Sequence, residues 1–145
     1  MWEQSQPGVG RFEQSMVLAC VDDQGRLGAV DATFAYETAT PFAIRVSVHT
    51  EEGDVVRELS RDLVQAGLSG PAGEAGTRLW PTTDIIGRAL LAIQLRVHGG
   101  GTVVLQAPAY RMGFFVARTT ALVPRGTETT HLGLDDVAQQ LLTGT

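Results

Sequence analysis

The chain has 145 residues, which suits one domain of ordinary size with a single hydrophobic core. Its formal charge of -5 is mild and all of its basic residues are arginines, a balance that disfavours a surface tracking a nucleic-acid backbone. The longest apolar runs fall short of the roughly 18 residues that span a bilayer, so we expect a cytoplasmic protein without membrane insertion. The single cysteine, Cys20, excludes an intramolecular disulfide.

The beginning of the chain predicts a tail followed by a hairpin. Residues 1–14 have no apolar period, and we expect them to be a flexible tail ahead of one domain over residues 15–145. Two β-prone runs, residues 15–21 and 27–36, flank a turn sequence that contains two aspartates. Turn formation is favoured over a metal site, because no second acidic cluster is spaced to complete one.

A third strand opens at Pro41. The residues that follow alternate with a period of two, which predicts one buried and one polar face. The expected buried positions are Phe42, Ile44, Val46 and Val48.

Residues 53–81 hold a strand, a short helix and a glycine-rich turn. Ser60 is placed to cap a helix that ends at about Ala66, and Gly67 is expected to end it in the left-handed conformation. So short a helix must pack on a sheet, since isolated helices need roughly 12 to 15 residues. The glycines that follow lie after a helix and before a strand, the reverse of a phosphate-binding loop, and therefore indicate a turn.

The second half of the chain predicts a further hairpin and the major helix. Residues 84–98 read as one strand, and three glycines then reverse the chain into residues 102–107. Pro108 suits the first position of the helix, whose core includes Met112, Phe114 and Phe115.

The chain is then expected to turn and form one more helix. Pro124 and Gly126 fit positions i+1 and i+3 of a type I turn. Residues 134–142 carry an apolar stripe typical of a short amphipathic helix. The predicted fold is α+β: one mostly antiparallel twisted sheet of about six or seven strands, a short central helix, one major helix and a short C-terminal helix.

Catalytic and metal-binding motifs are missing from the sequence. It has no nucleophile elbow, no H-E-x-x-H pair and no paired cysteines. Outward-facing His49 and His98 are a metal pair only if two distant strands bring them together, a reading that we disfavour. We expect a non-enzyme without a cofactor.

Three stretches resemble the SsgA-like proteins, a family of sporulation and cell-division proteins of filamentous actinobacteria. Residues 41–45, PFAIR, are similar to a strand start of that family, and residues 115–128, FVARTTALVPRGTE, to its helix and turn. The central signature is matched by Arg61-Asp62-Leu63, Gly67-Leu68, Pro71, Gly73 and Trp80-Pro81. We expect an SsgB-like branch of the family.

The resemblance implies a scaffold in sporulation-specific cell division that helps to position the septum. FtsZ and other SsgA-like proteins are the implied partners, and division septa the implied location. Open sheet edges also predict a homo-oligomer, with a trimer as the candidate. The alternative is a single-stranded nucleic-acid-binding module, because the family's fold resembles the Whirly type; the acidic composition makes nucleic acid the less favoured partner.

Two sets of residues follow from these considerations. The candidate partner contacts are Arg45, Arg57, Arg61, Asp62, Arg96, Arg111 and Arg118. The family-motif residues expected to be structural are Leu63, Gly67, Leu68, Pro71, Gly73, Trp80, Pro81, Pro124, Gly126 and Glu128.

Overall fold

A single antiparallel sheet dominates the part of the chain that the computed structural model describes, residues 10–97 and 99–132. Its elements are β1 (Arg11–Asp22), β2 (Leu27–Glu37), β3 (Ala43–Thr50), β4 (Gly53–Ser60), α1 (Arg61–Gly67), β5 (Ala72–Glu74), β6 (Thr77–Thr83), β7 (Ala89–Arg96), β8 (Thr102–Pro108), α2 (Ala109–Leu122) and a 3₁₀ turn (Glu128–His131). The strand order is β4-β3-β2-β1-β8-β7-β6-β5. The chain is therefore two consecutive four-strand meanders, each followed by a helix, that join through β1 and β8.

The sheet is larger than the sequence suggested. It has eight strands where about six or seven were expected, because β5 is a separate short strand and residues 77–96 form a hairpin. Strand β1 begins at Arg11, so the expectation of a flexible tail is wrong for residues 11–14. There Arg11 pairs with Glu37, and the Phe12 ring lies 5.4 Å from the Phe115 ring. Residues 1–9 and the C-terminal helix expected over residues 134–142 lie outside the described residues.

One five-residue turn, D-x-x-G-R, is used twice. Between β1 and β2, Asp22 Oδ1 accepts from the backbone N–H groups of Gln24 (2.9 Å) and Arg26 (2.8 Å). Between β6 and β7, Asp84 Oδ1 accepts in the same way from the N–H groups two and four residues later, at 3.0 and 2.9 Å. These bonds lower the pKa of both aspartates, the backbone bond from the arginine being the largest cause. The second turn shows that the expectation of one strand over residues 84–98 is wrong. The repeated D-x-x-G-R sequence could have predicted this turn.

The core fills the inner face of the curled sheet beneath α2. Phe34 and Phe115 are fully buried, with ring centroids 6.0 Å apart. Ile44 and Val46 are buried as the period-two pattern predicted, whereas Phe42 lies before the strand and is 48% exposed. The other buried apolar core residues are Met16, Leu18, Ala32, Tyr36, Leu59, Leu63, Val64, Leu79, Leu91, Ile93, Leu95, Leu105, Ala107, Met112, Val116 and Val123.

Helix α2 begins and ends close to the predicted positions. Pro108 is its N-cap, one residue before the expected place, and Val123 before Pro124 is extended at φ -137°. Phe114 is 54% exposed, so its assignment to the core is wrong: it lies one residue away from the buried stripe.

The turn that follows α2 is bonded from Thr127 N–H to Pro124 O at 3.1 Å. Gly126 is therefore at its third position with φ 93°, as in a type II turn, and the type I assignment is corrected.

Helix α1 is capped as predicted but ends for a different reason. The Ser60 hydroxyl accepts from Leu63 N–H at 3.2 Å. Gly67 does not take a positive φ, contrary to the expected left-handed ending. A Cβ on Gly67 would lie 2.6 Å from Leu79 Cβ, so this position needs glycine to let α1 approach β6.

In residues 10–97 and 99–132, no helix is long and apolar enough to cross a membrane.

Candidate functional site

A buried ion pair joins Arg61, the first residue of the central family signature, to Glu128, the last residue of the stretch 115–128. Arg61, the first residue of α1, is 2% exposed, and its Nη2 donates to Glu128 Oε2 at 2.8 Å. Its Nη1 donates to the carbonyls of Thr119 (3.1 Å) and Val123 (2.8 Å) at the C-terminal end of α2. The guanidinium also lies 5.3 Å from the centroid of the Tyr36 ring. One side chain therefore joins the start of α1 to the end of α2.

Glu128 is held in its charged form by this arrangement. The hydrogen bond from Arg61 is the main reason that the pKa of Glu128 lies below its ordinary value, and the backbone N–H of Gly126 adds a bond of 2.8 Å to Oε1. Burial acts the other way and is outweighed. Nearby, Tyr36 donates to Pro41 O at 2.8 Å, and burial raises the pKa of its phenol.

This burial corrects one candidate contact. Arg61 was expected on the surface, but an arginine buried in an ion pair cannot contact a partner while the chain is folded. The pair was missed because 67 residues separate its members, although both lie in motifs that the resemblance singled out. Asp62, next in the chain, is exposed and pairs with Arg125 at 3.1 Å.

The remaining candidate contacts are spread over the molecule. Arg45 on β3 pairs with Glu58 on β4 at 3.5 Å, and the Arg96 side chain lies beside Gly76. Arg57 is half-buried on the inner side of β4 and donates to Val56 O at 3.0 Å. They do not form one basic patch.

The expected arginine flank of α2 lies against β1. Arg111 donates to Ser15 O at 3.1 Å, and the Arg118 guanidinium lies 4.9 Å from the centroid of the Phe12 ring. Both arginines therefore contact β1, whose residues 11–14 the sequence analysis had assigned to a tail.

The structural positions of the family motif divide into two groups. Leu63, Gly67 and Glu128 are buried, and Leu79, beside the motif's Trp80, receives Gly67. The remaining positions are half-buried or exposed: Leu68, Pro71, Gly73, Trp80, Pro81, Pro124 and Gly126.

A chain of polar side chains crosses the outer face of four strands. Ser15 Oγ lies 3.0 Å from Thr33 Oγ1, which lies 2.9 Å from His49 Nε2, and His49 Nδ1 lies 2.9 Å from Asp54 Oδ1. The order hydroxyl, imidazole, carboxylate is that of a nucleophile relay. Here the hydroxyl belongs to Thr33, in the middle of a strand that is paired on both sides, with Ser15 and with Ser47. Its backbone N–H and C=O groups are therefore used by the sheet and do not form a catalytic turn. We infer that these polar side chains stabilise the pairing of the four strands.

Metal ligation has no candidate group in the described part of the chain, where no three histidine, cysteine or acidic side chains cluster. His98, the second member of the disfavoured metal pair, lies outside the described residues.

The inner face of the sheet opens at one end into a cavity of about 390 Å³, here called the mouth cavity. Its wall is mostly apolar and its rim carries polar and charged residues. It is lined by Cys20, Asp22, Asp23, Arg26, Val30, Val48, Thr50, Val55, Arg57, Leu95, Arg96, Val97, Thr102, Val103 and Leu105. Burial raises the pKa of the Cys20 thiol, as expected for an inert cysteine.

Exposed apolar side chains on the opposite face of the sheet, in the turn between β6 and β7 and at the start of α2 are here called the outer patch. They are Val17 (61%), Leu27 (72%), Ile85 (103%), Ile86 (70%) and Tyr110 (78%). Val17, Leu27, Ile85 and Tyr110 line a shallow depression of about 790 Å³. Apolar residues gathered in this way are typical of contact surfaces.

These features define a small α+β protein. Its buried charged pair connects its two helices, and its surface exposes apolar side chains. The family described as "Streptomyces sporulation and cell division protein, SsgA" matches residues 30–128. The chain belongs to this family, which is one of sporulation and cell-division proteins and not of enzymes.

Individual relatives agree with that assignment. The chain is 36% identical over 114 residues to the sporulation-specific cell division protein SsgB of Streptomyces coelicolor, with 78% of this chain and 82% of that protein covered. A solved structure described as "Mutations in SsgB correlate to longitudinal cell division during sporulation of Streptomyces coelicolor" is similar with a TM-score of 0.79 at 32% identity, over 88% of this chain and 100% of that one. The crystal structure of an SsgA-like protein from Thermobifida fusca, 22% identical, shows the same fold with a TM-score of 0.79, over 97% of this chain and 100% of that one.

Proposed function

We propose that this protein is a scaffold in sporulation-specific cell division that helps to position the septum by recruiting division proteins such as FtsZ. The observation that carries the proposal is the match of residues 30–128 to a family of sporulation and cell-division proteins. The SsgB of Streptomyces coelicolor, similar over 78% of this chain, supports the same role. The protein acts in the cytoplasm at division septa, with FtsZ and other SsgA-like proteins as partners.

The physical basis of recruitment is surface contact. The outer patch presents five large apolar or aromatic side chains that are at least 61% exposed. Ile85 and Ile86 stand at the tip of a D-x-x-G-R turn whose twin, between β1 and β2, has Asp23 and Gln24 in the same places. Since the polar version makes the same turn, the isoleucines are not needed for it. They are free to serve association.

The same surface supports self-association. A homo-oligomer, with a trimer as the candidate, would cover the outer patch and shield the free edges of β4 and β5. Light scattering of the purified chain at several concentrations measures its mass, and a monomer at every concentration would remove the oligomer from the proposal.

Recruitment is tested in two assays. In a two-hybrid assay and a pull-down, we expect the chain to associate with FtsZ or with another SsgA-like protein. In a Streptomyces coelicolor strain that lacks SsgB, we expect expression of the chain to alter the placement of sporulation septa. Absence of association together with unchanged septation would overturn the proposal.

A further inference from the structure

We propose that the free edge of β4 binds an extended acidic segment of a partner protein, with alternate apolar side chains of that segment over the mouth cavity. The inference rests on the proposed function only for the class of the partner, a protein. Three observations carry it: an exposed strand edge, an apolar cavity beside that edge and an inward-facing arginine without a carboxylate.

The edge is long and accessible. In the part of the chain that the structure describes, β4 ends the sheet on one side with eight residues, whereas β5 at the other side has three. Its first four residues, 53–56, are all exposed, including Val55 (40%) and Val56 (46%). An edge strand presents unpaired backbone N–H and C=O groups, which an extended peptide can bind as an added strand.

The mouth cavity lies on the inner side of this edge. Leu59 of β4 is buried in the core, and Arg57 and Val55, two and four residues earlier, line the cavity on the same side of the strand. Because side chains alternate along a strand, every second residue of an added strand would also point to that side. Valine and leucine side chains from β2, β3, β7 and β8 would meet those residues.

The charges along β4 favour an acidic segment. Its two carboxylates point to the outer face, where Asp54 lies 2.9 Å from His49 and Glu58 lies 3.5 Å from Arg45. On the inner face Arg57 forms no ion pair with any described residue, and its Nη1 donates to the neighbouring Val56 carbonyl. Within β4, the charge left without an ion-pair partner among the described residues is therefore the Arg57 guanidinium, and a guanidinium binds a carboxylate through charge-assisted hydrogen bonds.

A simpler role for Arg57 predicts a different outcome. An inward-pointing charge on an edge strand also discourages unwanted strand pairing. In that role Arg57 would repel added strands of any charge, and removing it would strengthen their binding. Under the proposal, removing it weakens the binding of acidic strands.

The test uses the full chain and synthetic peptides of about eight residues, the length of an ordinary strand. The probe is a fluorescein-labelled peptide of alternating valine and glutamate, and its control alternates valine and lysine. We expect fluorescence polarisation to show binding of the glutamate peptide, and Arg57→Gln to weaken that binding at least about tenfold. The matched control Arg125→Gln, on the surface at the start of the 124–127 turn, should leave it unchanged.

Main-chain pairing is tested on the probe, so that the fold of the protein is not altered. N-methylation of the residues that face β4 should abolish binding, whereas N-methylation of the other set should not. Equal binding of both peptides, insensitivity to Arg57→Gln or insensitivity to N-methylation would each overturn the proposal.

Other occupants give distinct results. If dodecanoate binds with a dependence on Arg57 and the peptide does not, the cavity is a site for anionic amphiphiles and the proposal is wrong. If the peptide fails to bind and the mass in light scattering rises with concentration until Arg57 is replaced, the edge pairs with a second copy. Peptide binding without FtsZ association would leave the edge site standing and remove FtsZ from the proposed function.

Discussion

The Arg61 side chain bonds to the end of α2 from the start of α1, and the structure predicts that its replacement strongly destabilises the fold. Arg61→Met removes the ion pair and two bonds to the end of α2, and leaves Glu128 buried without its partner. We expect a loss of about 3 to 5 kcal/mol in the free energy of unfolding, measured by urea denaturation. Arg125→Met breaks the exposed pair with Asp62 and should cost at most about 1 kcal/mol. Similar small losses for both variants would contradict the assignment.

The same pair makes stability depend on acid. The pKa of Glu128 in the folded chain is lowered from its ordinary 4.5, chiefly by the bond from Arg61. The stabilisation is therefore complete above pH 4.5 and is lost as the pH falls through the lower folded-state pKa. We expect the wild type to be more stable than Glu128→Gln near neutral pH, and this gap to narrow below pH 4.5. Urea denaturation of both proteins along a pH series measures the gap, and a constant gap would contradict the role of Glu128.

Two glycines in helices predict opposite effects of one substitution. A Cβ at Gly67 meets Leu79 Cβ at 2.6 Å, whereas a Cβ at Gly113, within α2, meets nothing within 4 Å. Gly67→Ala should therefore lower the free energy of unfolding by about 1 to 3 kcal/mol, because α1 must move away from β6. Gly113→Ala should raise it by up to about 1 kcal/mol, since alanine favours the helix. Thermal or urea denaturation measures both changes in the free energy of unfolding. If the two changes had the same sign, the close approach of α1 to β6 would not be the reason that position 67 needs glycine.

At the scale of elements, the sequence predicted what local chemistry determines. The Ser60 cap, the turn at Asp22 and the extended Val123 before Pro124 were predicted correctly because each depends on neighbours within a few residues. The strand at residues 11–14 was missed because its contacts are distant in the chain: it pairs with residues 34–37 of β2, and Phe12 lies against Arg118. The ion pair of Arg61 was missed for the same reason: its partner is distant in the chain.

The two D-x-x-G-R turns allow one element to be exchanged for the other. Ile85→Asp combined with Ile86→Gln gives the second turn the residues of the first, and the backbone N–H groups of residues 86 and 88 can still donate to Asp84. We expect stability within about 0.5 kcal/mol of the wild type, as for surface substitutions, together with weaker association with the partner found in the two-hybrid assay. Gln24→Glu adds the same charge at the tip of the first turn and should affect neither property. Unchanged association in the double variant would exclude the isoleucine tip from the contact surface.

For the whole molecule, the fold class followed from pattern, and the topology did not. Alternation and turn residues predicted an antiparallel α+β domain, and the structure has one. No local sequence pattern predicts that the two meanders join through β1 and β8, because the paired residues, such as Cys20 and Leu105, are far apart in the chain. The Arg61 bonds complete this plan, because the helix after the first meander caps the helix after the second.

The distribution of charge over the whole molecule predicts that nucleic acid is not a ligand. Within residues 10–97 and 99–132, six arginines pair with carboxylates: Arg11, Arg26, Arg45, Arg61, Arg88 and Arg125. Arg111 and Arg118 hold β1, so the cations do not form a continuous track, which binding to a phosphate backbone requires. We expect no shift of a fluorescent single-stranded oligonucleotide in polarisation measurements, even at about 20 mM salt, where such binding is strongest. A shift that weakens with added salt would contradict this and restore the nucleic-acid-binding alternative, because counterion release is the mark of phosphate contacts.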